Sequence, residues 1–281
     1  ELVRRKQDVA AGLTLALAVA CKVTPALFIP YFLWKRAGRL VAASLAGLLL
    51  WWLIVPGLVF GMERNIDFLT SWFDGMVRPF VIDGKVTSEH ANQSIPGIVF
   101  RLLTSEPSVI AYDENDRPFA AAFHNIADVG PETARLIIRL CQGIFVLLVI
   151  GLCRASWQGT GGRDGLRFAA ECSLILLGTL LFSERTWKHH GVGLILPVTV
   201  VVGYLACRNP GTMFRTVLSA ILVLVGVLTL GPGVFGGEFQ DLALTYGSHT
   251  TAFLLLCTGV CGILFAERGG NQNSPRIGSP V

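Results

Sequence analysis

The chain has 281 residues, of which 52% are apolar and only 15% carry a charge, against the roughly 25% charged residues usual in soluble domains. That balance excludes a soluble globular domain and makes lipid the expected solvent. The net charge of +4 says less than its placement, because Lys and Arg near span ends set orientation; no nucleic-acid partner is implied.

The chain opens on Glu1 with no basic-then-apolar leader ending in a small-residue cleavage site, so it is expected to be a fragment lacking its N-terminus. Residues 9–34 form an apolar stretch interrupted by Lys22 and Pro25, with Arg4, Arg5 and Lys6 on one flank and Lys35 and Arg36 on the other. Basic clusters at both ends predict a hairpin of two half-helices, 9–21 and 26–34, turning near Lys22 and Pro25. A single kinked span is the alternative.

A helix crossing a hydrocarbon core of roughly 30 Å needs about 20 apolar residues. The windows 40–61, 136–153, 166–182, 191–207, 214–230 and 249–266 qualify. With Lys35, Arg36 and Arg39 in the cytoplasm, the first of these delivers a long loop, 62–132, to the outside. Arg154, Arg163 and Arg167, then Arg208 and Arg215, then Arg268 and Arg276 also fall on the cytoplasmic side. The connectors opposite are 62–132, 184–190 and 231–248.

In the long loop, residues 63–81 mix apolar side chains, among them Trp72 and Phe73, with charges, which suits a helix lying in the interface. A short helix is predicted at 94–104, and 105–131, rich in Asp, Glu, Asn and Pro, reads as irregular loop. The expected fold is all-α, a polytopic transmembrane helical bundle of six full spans plus the broken-helix hairpin. It forms one domain over residues 1–266, with a disordered cytoplasmic tail at 267–281. The seven cysteines lie within or at the ends of apolar segments and read as packing residues. Cys257 and Cys261 share a helix face, yet no His or carboxylate nearby completes a zinc set, so no metal is expected.

Three groups of polar residues stand out. Lys22 is a cation in an apolar run, which is costly unless it faces a partner or a wet cavity; snorkelling to headgroups is the plainer reading. Trp187-Lys188-His189-His190 places basic groups on the side where the orientation rule disfavours them. It offers a ring, a cation and two imidazoles able to hold a phosphate oxygen, though on a helix neighbouring residues diverge by about 100°. Asn92-Gln93-Ser94 and Arg101 supply donors and acceptors suited to sugar hydroxyls; the triplet also matches a glycosylation sequon. Gly57 and Gly61 form a GxxxG that suggests close helix packing, and Arg139 is read as a structural pair member.

Together, the segment from Ala11-Gly12-Leu13 through Lys22-Val23-Thr24-Pro25 to Tyr31-Phe32-Leu33, then Asn92-Gln93-Ser94 with Arg101, then Ser183, Trp187, His189-His190 and Pro197 resemble the membrane glycosyltransferases of family 87. These belong to the GT-C superfamily and include polyprenol-phosphate-mannose-dependent mannosyltransferases. The resemblance implies a GT-C-like membrane domain that transfers a hexose, commonly mannose, from a polyprenyl-phosphate carrier to a lipid or glycan acceptor on the non-cytoplasmic face. It calls for no nucleotide sugar and no cofactor. It also implies a catalytic Asp in the first outer loop, expected upstream of residue 1. Lys22, Lys188, His189 and His190 are then assigned to the donor phosphate. Asn92, Gln93, Arg101 and Trp187 are assigned to sugar or acceptor binding. Two other classes stay open: a transporter or flippase for a lipid-linked sugar, since broken helices and an intramembrane Lys also suit a substrate path, and a noncatalytic membrane partner if the chain is complete.

Overall fold

The computed structural model describes residues 1–154 and 165–270. A helix of 14 residues, the length of α1 (Asp8–Cys21), reaches only about 21 Å at 1.5 Å per residue and cannot span a bilayer. It ends at Lys22, whose N–H bonds the Ala18 carbonyl at 2.9 Å before the backbone turns extended. Pro25 sits in the first turn of the 3-10 piece Thr24–Leu27, where a missing N–H is harmless, and α2 (Phe28–Trp34) carries the chain back. The structure has the hairpin, not the single kinked span.

The first full span, α3 (Gly38–Phe60), runs parallel to α1. A Cβ on Gly12 would lie 2.4 Å from the Leu40 carbonyl oxygen, and one on Gly47 would lie 2.6 Å from Ala16 Cβ, so the two backbones touch through small residues. Wide π turns at Leu50–Ile54 loosen the helix, and Asn65 Nδ2 donates to the Trp52 carbonyl there at 2.9 Å. Gly57 and Gly61 do not form the expected packing pair. Gly61 has φ +86°, which glycine alone adopts cheaply, and it ends the helix so that α4 (Met62–Trp72) can begin at once.

α4 continues in π turns over Phe73–Ile82, leaving Phe68, Trp72, Phe73 and Met76 exposed, as an interfacial helix requires. After α5 (Ile95–Leu103), the stretch expected to be irregular contains an antiparallel hairpin, β1 (Val109–Tyr112) and β2 (Pro118–Ala122). The Asp113 carboxylate accepts the N–H groups of Asn115 at 2.9 Å and Arg117 at 2.8 Å. The polar residues that read as loop are therefore the turn between two strands too short to show a pattern.

The remaining helices are α6 (Pro131–Leu152), α7 (Gly165–Phe182), α8 (Lys188–Cys207, opening in a 3-10 turn), α9 (Thr212–Phe235), the short α10 (Gly237–Thr245) and α11 (Ser248–Gly270). All six predicted spans are present, and the protein is a multi-pass membrane protein. The core lies between α7, α8, α9 and α11, where Leu174, Leu177, Val201, Leu218, Leu256 and Val260 are buried. α6 buries only Ala134 and Ile138; apolar side chains facing lipid need no protein partner.

At one end of the bundle Glu171, 2% exposed, receives Lys35 Nζ at 2.5 Å, Arg167 Nε at 3.4 Å and the Tyr31 hydroxyl at 2.9 Å. Two basic groups assigned to the same side of the membrane thus share one carboxylate. Arg163, Arg276 and the tail beyond residue 270 lie outside the described residues.

Candidate functional site

At the other end the three connectors 62–132, 184–190 and 231–248 are bonded together by residues 92–101. Asn92 Nδ2 donates to the carbonyls of Thr87 at 2.9 Å and Glu184 at 2.8 Å, and its Oδ1 accepts from the N–H groups of Ser94 at 3.2 Å and Thr186 at 3.0 Å. Gln93 Nε2 donates to the carbonyls of His90 at 2.6 Å and Leu244 at 2.7 Å, while its Oε1 accepts from the His249 N–H at 3.2 Å. The Arg101 guanidinium reaches five carbonyls: Thr245 at 2.8 Å, Ser88 at 3.0 Å, Glu89 at 2.8 Å, Asn92 at 3.2 Å and Leu244 at 3.4 Å. Burial pushes Arg101 down to about 10, so it stays charged at neutral pH.

All three side chains are 0% exposed. Expected on a sugar-reading surface, Asn92, Gln93 and Arg101 instead bond the chain's own backbone, because a buried cation or amide must find partners. The sequon asparagine is closed off in the same way.

Beside this hub opens a cavity of about 1000 Å³, bounded by the hairpin turn, Trp52 of α3, the extension of α4, α6 and the end of α7. Its walls are apolar, with Trp52, Trp72, Met76, Phe80 and Phe182. Set among them are Lys22, Lys85, Arg135, Arg139, Arg185 and His190, and Glu184 is the one acid in the lining among the described residues. Arg185 lies 5.3 Å over the Phe80 ring and donates to Thr87 Oγ1 at 3.2 Å. Arg135 lies 6.0 Å over Phe100 and pairs with Glu132; its Nε is buried without a hydrogen-bond partner. Burial raises the Glu184 carboxyl above its ordinary range, with Arg185 opposing.

His190 Nδ1 accepts the Trp187 N–H at 3.1 Å. In the neutral ring the proton is then on Nε2, so His190 is a hydrogen-bond donor. Lys22 and His190 thus share a cavity. Lys188 and His189 line a different one, of about 830 Å³, between α8, α9 and α11. The reason is local: a 3-10 turn has 3 residues per turn, so neighbours on Lys188–Leu194 diverge by about 120°. The rings of His189 and His190 are nonetheless 4.2 Å apart, and Trp187 stands edge-on to His189 at 5.6 Å. Trp187 lines neither cavity.

Sequence reasoning missed Lys85, Glu184, Arg185 and Arg135 in the first cavity, and it gave Arg139 only a structural role. A signal existed for two of them: Arg135 and Arg139 are one turn apart on a single face at the head of a span, and an intramembrane cation points to a partner or a wet cavity.

The family model described as Glycosyltransferase family 87 matches residues 2–184. Two curated relatives, one from Mycolicibacterium smegmatis and one from Mycobacterium tuberculosis, are each named a polyprenol-phosphate-mannose-dependent alpha-(1-2)-phosphatidylinositol mannoside mannosyltransferase. The chain is 28% identical to the first over 222 residues, 76% of its own length, and 28% identical to the second over 227 residues, 78% of its length. It spans 41% of each relative. No solved structure matches.

Proposed function

Since the chain belongs to glycosyltransferase family 87, we propose that it is the membrane domain of an enzyme that transfers a hexose, mannose by analogy with its relatives, from a polyprenyl-phosphate carrier to an acceptor on the non-cytoplasmic side. The observation that carries this reading is the first cavity, in which six basic side chains and one acid are set in an apolar lining beside an interfacial helix. An apolar wall suits a prenyl chain, and a cationic rim suits its phosphate.

In the transfer, an acceptor hydroxyl oxygen bonds to the anomeric carbon. The bond from that carbon to the carrier phosphate breaks with its electron pair going to the phosphate oxygen, and the hydroxyl proton goes to a base. Lys22, Arg139 and the His190 Nε2–H stabilise the charge growing on the phosphate. The family resemblance makes that base an Asp. Asn92 acts as a positioning residue, fixing through Glu184 and Thr186 the 184–190 connector that carries His190, while Gln93 and Arg101 tie Asn92's own segment to the 231–248 connector. The acceptor, by analogy with the relatives' names, is a phosphatidylinositol mannoside.

The test is transfer from polyprenyl-phosphate mannose by the complete protein in proteoliposomes. Lys22→Ala is expected to lower transfer by about 10²-fold, the effect of removing one preorganised donor, with the protein still folded. Unchanged transfer removes the first cavity as the donor site.

A further inference from the structure

We propose that the second cavity is the acceptor site, taking a membrane lipid whose chain lies between α8 and α9 and whose anionic phosphate headgroup rests on Lys188. This rests on the reading that the first cavity takes the donor.

Four observations support it. The lining is graded: Leu194, Val198, Leu222 and Val225 form an apolar interior, whereas Lys188, His189, Gln240 and His249 supply polar groups, and among the described residues no Asp or Glu lines it. That pattern fits an amphiphile with a negative head and rejects a free sugar, which would leave the apolar walls unfilled. The cleft is also open sideways toward lipid, because its lining residues Ile195 and Leu230 are 65% and 69% exposed.

The cleft also holds unclaimed space. At Gly191, Gly226 and Gly233, all in the lining, an added Cβ would meet no atom within 4 Å. Glycine in a membrane helix usually marks close backbone approach, as Gly12 and Gly47 do here; these three mark room.

Finally, the polar end is held in place and adjoins the donor cavity. His249, 8% exposed, has its N–H on Gln93 Oε1 at 3.2 Å and its Nε2 3.3 Å from the Thr229 carbonyl. Nε2 therefore carries the proton in the neutral ring, which leaves Nδ1 to accept from a headgroup hydroxyl. His189 lines this cavity and His190 the other, with their rings 4.2 Å apart, so the two headgroups meet at one imidazole pair. The family match ends at residue 184, ahead of every residue in this lining.

The experiment uses the complete protein in phosphatidylcholine nanodiscs, with phosphatidylinositol as the probe because it carries both a phosphate and ring hydroxyls. Retained phosphatidylinositol is read by native mass spectrometry, and donor and acceptor KM are measured separately. Gly226→Leu enters the cleft at a position where its Cβ meets no atom within 4 Å, and glycine replacement favours the helix, so folding is expected to be preserved, as an unchanged thermal midpoint checks. Lys188→Ala removes the cation. Each is expected to weaken phosphatidylinositol retention and raise acceptor KM by about tenfold, the scale of one charge-assisted hydrogen bond, leaving donor KM unchanged. Unaltered retention overturns the proposal, as does lost retention with an unaltered acceptor KM, which makes the lipid structural. If Lys22→Ala leaves transfer intact while Gly226→Leu raises acceptor KM, the donor assignment falls and this site stands.

Discussion

Residues 92–101 and residues 187–190 are both polar runs at the same end of the bundle, and they use their polarity in opposite ways. In the first, the Asn92, Gln93 and Arg101 donors close on main-chain carbonyls and the side chains are 0% exposed. In the second, one backbone N–H fixes His190, and the imidazoles and Lys188 face two open cavities. The difference separates a residue that holds a site from one that meets a ligand. What decides it is whether the chain supplies a partner for each donor.

Removing a member of each group sharpens this contrast. Arg101→Leu takes the guanidinium from five carbonyls at the junction of three connectors, of which those of Glu89 and Leu244 keep other donors. A loss of about 1–3 kcal/mol for each carbonyl left unsatisfied is expected, read as a fall in the thermal midpoint in detergent. His190→Phe keeps the ring volume but loses the Nε2–H. Its thermal midpoint is expected to hold while transfer falls by about 10²-fold. If Arg101→Leu folds normally, or His190→Phe unfolds, the division between holding and meeting collapses. Ser94→Ala is milder: Ser94 Oγ caps α5 by accepting the Gly97 N–H at 3.2 Å. Its removal is expected to lower stability by about 1 kcal/mol, with donor KM unchanged.

The spans were legible because lipid selects long apolar runs whatever the tertiary contacts. α6 shows where this fails. The apolar window begins at 136, yet the helix begins at Pro131, because its first turn carries Glu132 and Arg135, the latter in a cavity lining, and so escapes an apolarity criterion. The hub was misread for a different reason. A sequence shows that Gln93 has donors and acceptors, but not that Leu244 and His249, more than a hundred positions away, will occupy them. The divergence of His189 from His190 was legible, at about 100° for a helix against about 120° for the 3-10 turn present; that His189 lines a second cavity was not.

Glu184 joins the two regions and gives the finest test of the contrast. Its carbonyl accepts from Asn92 Nδ2 at 2.8 Å inside the hub, while its side chain lines the first cavity as the one acid there. Burial raises that carboxyl above its ordinary range, because desolvation disfavours the ionised form. At pH below its folded value it is neutral and the rim keeps its full positive charge. As the pH rises through that value it ionises and repels the donor phosphate, whose own charge is fixed as a diester. Donor KM should therefore climb a few-fold with rising pH in the natural protein and stay low and flat in Glu184→Gln, while acceptor KM follows neither change. The same slope in both proteins would mean that the carboxylate does not feel the donor, leaving Glu184 to the hub alone.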